Sequence, residues 1–494
     1  MDNLDIVIFG ASGDLAKKKI FPAFFSLFCR NLLPKNVKFF GYARTQMSKI
    51  EFENAISLNL TCRYTPESNC SNLMKEFLER CFYISGDYNN CKDFIKLENS
   101  ISENKNIKIN RIYYLAVPPI LFADIACTLK KANMVVPDND TNVWSKIIIE
   151  KPFGRDLQSS DETVTAIGKC FSEKQTYRID HYLGKEIVQN ILVFRFANII
   201  FQPVWSSEYI EKIQIKWSEK NGLEGRAGYF DNYGIIRDVI QNHLLQVLAL
   251  ITMEPPENLN ADEIRNKKVK VLKDIQPLSL TDAIIGQYDT ADFNQQHFNA
   301  YIQEKGVPND SITPTFAFLK LKIHNSRWNG LPVEISAGKA LKNRKAEIII
   351  TFKKPCGNIF CVTGNCPPAN KLVIRIQPDE GFHFIVATKS PGRKLELQPK
   401  ELDLSYHTAF KGNLLPDAYE NLLLDAIKGD KTLFIRNDEL RALWNILTPL
   451  LHQLEKNHIK PLLYKYGTSG PKIEHFKKEP CQNETTNSKH ETIL

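Results

Sequence analysis

Hydrophobic and polar positions follow two different patterns along the 494 residues of the chain. In the first third, short apolar runs are separated by helical patterns such as the one from residue 15 to about residue 33. The runs cover residues 4–9, 37–42, 111–117 and 145–149. Apolar runs of this length are typical of buried parallel strands, because helices cover both faces of such a sheet. The pattern predicts an α/β, Rossmann-like domain.

Beyond about residue 180, apolar and polar residues alternate, which predicts a mostly antiparallel sheet with one covered face. The strands are expected at residues 209–217, 315–322, 347–352, 372–376 and 382–387, with helices at 235–253, 419–427 and 437–455. We therefore divide the chain into three parts. They are a dinucleotide-binding domain at residues 1–178, a larger α+β domain for substrate binding and dimerisation at 179–475, and a disordered tail at 476–494.

Composition and charge exclude several classes of protein. The formal charge of +8 comes from basic residues interleaved with acidic ones, which argues against a nucleic-acid partner. No apolar run approaches the roughly 18 residues of a membrane span, and residues 1–9 resemble neither a signal nor a transit peptide. The eleven cysteines form no CxxC pair, which favours free thiols in a reducing compartment. We expect a cytoplasmic protein without a resident metal.

A glycine turn directly follows the first predicted strand. The sequence GASGDLA at residues 10–16 lies between that strand and a helical pattern, which is the context of a dinucleotide-binding turn. Gly10 suits the tight turn, Gly13 allows close approach of a pyrophosphate, and Ala16 allows close helix–strand packing. The alternative is a glycine turn without a ligand.

The end of the second predicted strand indicates which dinucleotide binds. An acid there would hold a free ribose hydroxyl, but the chain has Arg44 and Thr45, and Lys17 follows the glycines. Cations suit a 2′-phosphate, so NADP is favoured over NAD, unless Arg44 is only a solvated surface cation. Residues 114–119 and Lys151 fall at the carboxyl ends of two further predicted strands and are expected to line the same cleft.

The stretch RIDHYLGKE at residues 178–186 concentrates polar chemistry before a helical pattern at residues 187–201. Free backbone N–H groups at a helix start favour anions, above all phosphate. His181, Tyr182 and Lys185 are suitable additional donors for a phosphate monoester. This stretch is therefore expected to bind a phosphorylated substrate.

His243 lies within the apolar face of the helix predicted at residues 235–253. It is either a core histidine with satisfied ring nitrogens or a general base that takes a hydroxyl proton during hydride removal. A histidine base also needs a carboxylate to fix its tautomer, and Asp180 and Asp238 are both candidates.

Motifs in matching order along nearly the whole chain, up to about residue 471, resemble the glucose-6-phosphate dehydrogenase family. They are GASGDLAKKK at 10–19, EKPFGRD at 150–156, RIDHYLGKE at 178–186, EGRAGYFDNYGIIRD at 224–238, QNHLLQ at 241–246, GKAL and RKAE between 338 and 347, and IRIQP at 374–378. The resemblance implies oxidation of glucose 6-phosphate to 6-phosphogluconolactone with reduction of NADP, the first step of the oxidative pentose phosphate pathway, by a homodimer or homotetramer.

The resemblance also implies residue roles. The residues implied to contact NADP are Gly10, Ala11, Ser12, Gly13, Asp14, Leu15, Ala16, Lys17, Arg44, Tyr114 and Lys151. Those implied to contact glucose 6-phosphate are Lys151, His181, Tyr182, Lys185, Glu224, Asp238, Lys339, Arg344 and Gln377. His243 would be the catalytic base, paired with Asp180.

The chain departs from the pattern of larger eukaryotic members, which carry a second, structural NADP site. Lys345, Arg375 and Asp403 are kept. However, Ser336, Ile349 and Ser469 stand where arginines are usual, and His383 and Ile385 where a tyrosine and a lysine are. Each lost cation is expected to cost about 1–3 kcal/mol of binding free energy. We predict that this second site is absent or weak.

Two alternatives to an active glucose-6-phosphate dehydrogenase remain at this point. One is a broader NADP-dependent sugar dehydrogenase, because EKP after a dinucleotide-binding sheet also occurs in other sugar oxidoreductases. The intact phosphate-binding set argues against it. The other is a catalytically silent paralogue that acts as a binding or regulatory subunit. Every catalytic position is filled, which argues against that alternative.

Overall fold

The computed structural model of the chain describes most of its residues. The described ranges are 3–64, 67–102, 109–140, 143–223, 225, 227–293, 296–354, 357–362, 366–412 and 414–473. The tail predicted to be disordered, residues 476–494, lies outside them. None of the helices in the described part of the chain combines the length and apolarity that crossing a membrane requires.

The first sheet has six parallel strands in the order β3-β2-β1-β4-β5-β6. They are β1 (Asn3–Phe9), β2 (Asn36–Ala43), β3 (Cys81–Ser85), β4 (Asn110–Leu115), β5 (Ser145–Ile149) and β6 (Thr176–Arg178). Val7 and Phe9 pack into one core, and Ile6 and Ile8 pack into the core on the opposite face. Both faces are therefore covered, as the continuous apolar runs predicted.

Helices connect these strands. They are α1 (Phe21–Cys29), preceded by a π-helical turn at Ala16–Ile20, α2 (Lys49–Ser57), α3 (Glu67–Glu79), α4 (Cys91–Ile101), α5 (Phe122–Lys131), preceded by a 3-10 turn at Pro119–Leu121, and α6 (Leu157–Gly168). Ser48 caps α2 by accepting a hydrogen bond from the Glu51 N–H, and Asp156 caps α6 in the same way through Ser159. The prediction of a Rossmann-like N-terminal domain is confirmed.

The second sheet has nine strands in the order β16-β15-β14-β13-β7-β12-β11-β8-β17. They are β7 (Ile210–Ser218), β8 (Ala283–Asp289), β11 (Phe316–Leu321), β12 (Val333–Gly338), β13 (Lys345–Phe352), β14 (Lys371–Gln377), β15 (Gly381–Lys389), β16 (Leu397–Ser405) and β17 (Leu462–Lys465); β9 (Ala291–Phe293) and β10 (Gln296–Phe298) form a separate hairpin. Only the pairs β7–β12 and β8–β17 are parallel in this described sheet, so the mostly antiparallel prediction is confirmed.

The remaining helices surround this sheet and return to the first one. They are α7 (Glu186–Phe196), α8 (Ala227–Ile235), α9 (Leu245–Thr252), preceded by a π-helical segment at Ile236–Leu244, α10 (Ala261–Lys273), α11 (Ile359–Val362), α12 (Tyr406–Ala409), α13 (Ala418–Lys428) and α14 (Asn437–Lys456), with 3-10 turns at Leu280–Asp282 and Tyr301–Gln303. Leu422 and Ala426 of α13 belong to the same core as Ile6 of β1. The C-terminal part of the chain therefore helps to cover the parallel sheet.

Three local predictions need correction. The helix predicted at residues 187–201 ends at Phe196, and Asn198 is exposed beyond it. The helix predicted at residues 235–253 is π-helical as far as Leu244, after a break at Gly234, where φ is +66°. The cysteines are not all free, because the structure pairs Cys62 with Cys70 and Cys361 with Cys366.

Candidate active site

One cavity of about 710 Å³ gathers most of the residues predicted to bind substrate. Its walls include Lys151, His181, Tyr182, Lys185, Asp238, His243, Lys339, Arg344 and Gln377. Glu224, the remaining substrate residue implied by the resemblance, lies outside the described residues. The cavity thus combines side chains that follow strands of both sheets.

Residues at the ends of regular elements and one π-helical segment form much of the cavity wall. Lys151 follows β5, and residues 180–185 connect β6 to α7. His243 lies in the π-helical segment, in which an i→i+5 pattern changes the direction of side chains relative to an α-helix; such segments are frequent at functional sites. The two catalytic candidates, Asp180 and His243, therefore meet although they come from different elements.

Asp180 and His243 form a buried pair beside the cavity. His243 Nδ1 lies 2.5 Å from Asp180 Oδ1, which also accepts a hydrogen bond of 2.9 Å from the Tyr182 backbone N–H. Both side chains are at least 97% buried. Asp238, the other carboxylate candidate, instead lies with Oδ1 3.7 Å from the Lys151 ammonium. The structure thus places Asp180, and not Asp238, at the imidazole.

The second ring nitrogen of His243 faces the ammonium of Lys151. The Nζ–Nε2 distance is 2.5 Å, and Lys151 also donates to the Asp238 carbonyl at 3.1 Å. An ammonium has only donors, so Nε2 must be the unprotonated acceptor and Nδ1 must carry the proton toward Asp180. This is the tautomer that a general base acting through Nε2 requires.

Burial sets the charge states of the pair. Desolvation, together with the nearby Lys151 cation, holds the pKa of His243 well below its usual value. Burial raises the pKa of Asp180 to about 6. At neutral pH the pair therefore consists of a carboxylate and a neutral imidazole, which is ready to accept a proton.

His181 and Tyr182 form an aromatic wall against His243. The Tyr182 ring stacks on the His243 ring with centroids 4.5 Å apart, and the His181 ring lies edge-on at 4.6 Å. Trp217 Nε1 donates to the Tyr182 hydroxyl oxygen at 2.7 Å, which leaves the hydroxyl proton available to another acceptor. Burial and the adjacent cationic and imidazole groups hold the pKa of His181 well below its usual value.

Cations line the rest of the cavity and are partly balanced by carboxylates. Lys185 immediately precedes α7, and its Nζ lies 4.0 Å from Glu380 Oε1. The Nζ of Lys339 lies 2.5 Å from Glu219 Oε2. Arg344 joins them in the wall. Burial raises the pKa of Glu380. The arrangement suits a dianionic ligand such as a phosphate monoester, which Lys185 can hold by charge-assisted hydrogen bonds.

The predicted cofactor turn lies at the carboxyl edge of the parallel sheet, between β2 and β4. Gly10 has φ +80°, and its N–H donates to the Tyr42 carbonyl at 2.8 Å. A Cβ at this position would lie 2.2 Å from the Ala116 carbonyl oxygen, so the turn requires glycine. Ala16 is fully buried where the helical region starts. This close-packed turn fits the phosphates of a dinucleotide.

Arg44 lies at the end of β2, beside the glycine turn. Arg44 is exposed, and its guanidinium carbon lies 5.6 Å from the centroid of the Tyr88 ring. The hydroxyl of the neighbouring Thr45 lies 3.2 Å from the Ser12 hydroxyl. Ser12 thus ties the glycine turn to the strand end that carries Arg44. The two residues that follow β2 are therefore Arg44 and Thr45, where an acid would favour a free ribose hydroxyl.

Tyr114 differs from the other predicted cofactor residues because its side chain is fully buried. Its hydroxyl donates to Glu150, which also hydrogen-bonds Tyr419. Burial raises the pKa of Glu150. The Tyr114 side chain therefore supports the residue that precedes Lys151, and its hydroxyl is not available to a cofactor.

Sequence reasoning missed several lining residues: Trp217, Glu219, Glu380 and Tyr419. The first two lie at and just beyond the end of β7, and Glu380 follows Gln377 in the turn between β14 and β15. These positions at strand ends offered a signal. Tyr419 offered none, because α13 reaches the cavity only through the tertiary fold.

Two family models match the chain. Residues 7–190 match the glucose-6-phosphate dehydrogenase NAD binding domain, and residues 192–480 match the glucose-6-phosphate dehydrogenase C-terminal domain. Among curated relatives, a chloroplastic glucose-6-phosphate 1-dehydrogenase of Solanum tuberosum is 48% identical over 478 residues, covering 96% of this chain and 82% of the relative. A glucose-6-phosphate 1-dehydrogenase of Dictyostelium discoideum is 47% identical, covering 95% and 92%.

Solved structures give the same result. A glucose-6-phosphate dehydrogenase in complex with its substrate glucose 6-phosphate superposes with a TM-score of 0.88 at 40% identity, covering 96% of both chains. A glucose-6-phosphate 1-dehydrogenase from Mycobacterium avium has a TM-score of 0.78 at 30% identity, covering 95% of this chain and 96% of that one.

Proposed function

Because the chain belongs to the glucose-6-phosphate dehydrogenase family, it oxidises the CH–OH group at C1 of glucose 6-phosphate, with NADP as the cofactor, and we propose how its residues divide this work. When bound, NADP supplies the hydride acceptor. The observation that carries the residue assignment is the buried Asp180–His243 pair facing a cavity lined with cations.

His243 acts as the general base. Its Nε2 takes the proton of the C1 hydroxyl as a hydride leaves C1, so that the C1–O bond becomes the carbonyl of 6-phosphogluconolactone. Asp180 keeps the proton of Nδ1 in place and stabilises the imidazolium that forms. In this structure Lys151 donates to Nε2 of His243. When the sugar hydroxyl is hydrogen-bonded to Nε2, Lys151 would donate to that hydroxyl instead.

His181, Tyr182 and Lys185 hold the phosphate. Lys185 supplies the permanent charge, while Tyr182 has a hydroxyl proton left over after Trp217 has donated to its oxygen. Asp238, Lys339, Arg344 and Gln377 lie in the same cavity and are assigned to the substrate, as is Glu224 from the resemblance alone. Binding glucose 6-phosphate both at its phosphate and at its sugar ring would keep C1 within reach of His243.

Residues 10–17 and Arg44 hold the cofactor. The glycine turn would bind the pyrophosphate, and Arg44 would pair with the 2′-phosphate that distinguishes NADP from NAD. Lys151 follows β5 at the carboxyl edge of the parallel sheet and lines the sugar cavity, so we assign it to both ligands.

An absorbance assay of NADPH formation tests the proposal. Glucose 6-phosphate with NADP is the reference, NAD replaces NADP in a parallel series, and unphosphorylated glucose replaces the substrate in another. We expect strong turnover only in the reference. Equal turnover of glucose would favour a broader sugar dehydrogenase, and no turnover with any pair would favour a silent regulatory paralogue.

We also propose that a second, structural NADP site is absent or weak. The substitutions Ser336, Ile349 and Ser469 support this, although Arg344 and Arg375 still line a shared pocket of about 530 Å³. Thermal unfolding with NADP should be followed in a variant whose catalytic cofactor site has been disabled. A melting temperature that still rises with NADP would contradict the proposal.

The remaining assignments concern assembly and location. We propose a homodimer or homotetramer in the cytoplasm, with the division into domains near residue 178. Leu402 and Leu404 support self-association, because they are exposed on the edge strand β16 and continue the apolar face formed by Phe382 and Phe384. Sedimentation of the wild-type chain and of Leu402→Lys would test assembly, and immunofluorescence would test location.

A further inference from the structure

A second group of potential metal ligands lies on the outer strands of the large sheet. His383 on β15 is directly opposite Asp403 on β16, and Glu401 lies two residues before Asp403 on the same strand. Because alternate residues of a strand face the same side, all three side chains share one face of the hairpin. His383 Nδ1 lies 2.6 Å from a Glu401 oxygen and 3.2 Å from an Asp403 oxygen.

The imidazole of His383 is buried and makes no hydrogen bond within the described part of the chain. Only 3% of the residue is exposed, and neither ring nitrogen has a hydrogen-bond partner among the described residues. Nε2 is turned toward Gly381, where a Cβ would come within 3.2 Å of it. Nδ1 therefore points at two carboxylates that approach it closely without the geometry of a hydrogen bond. A buried imidazole that has close carboxylates but makes no hydrogen bond among the described residues calls for an explanation.

We propose that His383, Glu401 and Asp403 bind one divalent transition-metal ion, with Zn²⁺ as the best fit. The three ligand atoms lie within 4.8 Å of one another. Two oxygens at tetrahedral positions around zinc lie about 3.4 Å from a nitrogen ligand, given bonds of about 2.0–2.2 Å. Asp403 already lies near this distance, and the half-exposed Glu401 reaches it by a small rotation.

The ligand chemistry selects among cations. Imidazole nitrogen favours Zn²⁺ and its neighbours in the transition series, whereas Mg²⁺ and Ca²⁺ prefer oxygen ligands alone. The two carboxylates balance the charge of a divalent ion. With three protein ligands, a fourth position stays open for water. The bound ion would join β15 to the edge strand β16.

The competing explanation is a plain ion pair. A protonated His383 has one N–H at Nδ1, which cannot serve two carboxylates with good geometry, and its Nε2–H would remain without an acceptor. A metal ion uses the lone pair of Nδ1 and attracts both carboxylates. The ion pair requires no metal, so the two explanations differ in a direct binding measurement.

Isothermal titration calorimetry of the full chain, stripped with a chelator and titrated with ZnCl₂, tests the proposal. We expect one Zn²⁺ per chain at this site, with Mg²⁺ giving no comparable heat. Losing a partner outside the direct ligands typically weakens metal affinity about 10- to 100-fold, so His383→Gln is expected to weaken it by at least that factor. Glu401→Gln and Asp403→Asn change half-exposed side chains, and they test the site if His383→Gln fails to fold.

Two variants serve as controls. His297→Gln removes an exposed histidine that pairs with the single carboxylate Asp292, and it should leave Zn²⁺ binding unchanged. His243→Asn tests the other described cluster, formed by Asp180, His181 and His243. Zn²⁺ affinity that survives in Glu401→Gln and Asp403→Asn, or that is lost only in His243→Asn, would overturn the proposal, as would the absence of Zn²⁺ binding.

Discussion

Replacing Asp180 with asparagine isolates the contribution of its negative charge. Oδ1 of Asp180 accepts from both His243 Nδ1 and the Tyr182 N–H, whereas Oδ2 is buried without a hydrogen-bond partner among the described residues. An asparagine can therefore keep its oxygen in place of Oδ1 and put its NH₂ in place of Oδ2. The tautomer of His243 is retained and the charge is lost, while the buried NH₂ group has no acceptor among the described residues, which should also lower the stability of the variant.

The size of the effect follows from the burial of the pair. Truncating one partner of a buried, hydrogen-bonded charge pair costs about 2–5 kcal/mol. In the proposed mechanism the carboxylate stabilises the imidazolium that forms in the transition state, so we expect to lose about 2–4 kcal/mol of that stabilisation. This corresponds to a decrease in kcat of about 30- to 1,000-fold. Binding of glucose 6-phosphate should change little, because Asp180 does not line the cavity.

The assay is steady-state NADPH formation by Asp180→Asn, with Asp238→Asn as the matched control. Asp238 faces Lys151 and the cavity, so its variant should chiefly raise KM for glucose 6-phosphate. Thermal unfolding checks that both variants fold. The reasoning would be refuted if Asp180→Asn kept kcat within about threefold of the wild type, or if Asp238→Asn lost more kcat than Asp180→Asn.

Three further predictions concern binding and pH. Lys185→Ala is expected to raise KM for glucose 6-phosphate by about 10- to 100-fold through loss of a charged phosphate contact, and an unchanged KM in steady-state kinetics would move the phosphate site elsewhere. Arg44→Ala is expected to lower the ratio of kcat/KM for NADP to that for NAD by about 10-fold or more, and an unaltered ratio would make Arg44 a bystander. In the proposed mechanism the neutral imidazole of His243 persists below its usual titration range, so the acidic limb of kcat/KM should lie near pH 6, where Asp180, whose pKa burial raises to about 6, loses its charge. Lys151 lowers the pKa of both Asp180 and His243, so Lys151→Met should move the acidic limb of the pH profile to higher pH. A limb at lower pH would contradict the assignment of this pair as the base.

The sequence predicted those features that depend on neighbouring residues. The apolar run of β1 and the glycine turn at Gly10 are local patterns, and the structure places them at the carboxyl edge of a parallel sheet. The cavity also contains His181 and Lys185, which were predicted from their position before a helix. Such features are readable because strand, turn and helix each impose their own periodicity.

Other features depend on contacts between distant segments. The periodicity placed His243 on a helix but left Asp180 and Asp238 as equal partners, and only the path from β6 into α7 brings Asp180 to Nδ1. Tyr419 reaches the cavity because α13 packs against the parallel sheet. His383 came within reach of two carboxylates through strand register, which no local pattern specifies.

We propose above all that His243 is the base that accepts the C1 hydroxyl proton. The most direct test of this assignment is kcat of His243→Asn in the NADPH absorbance assay, with substrate binding measured separately by calorimetry. Asparagine can still donate a hydrogen bond to Asp180 but cannot accept the proton. General base catalysis contributes about 10²- to 10⁴-fold, so kcat should fall by that factor while the Kd for glucose 6-phosphate stays nearly unchanged. A variant that retained most of its kcat would contradict the account.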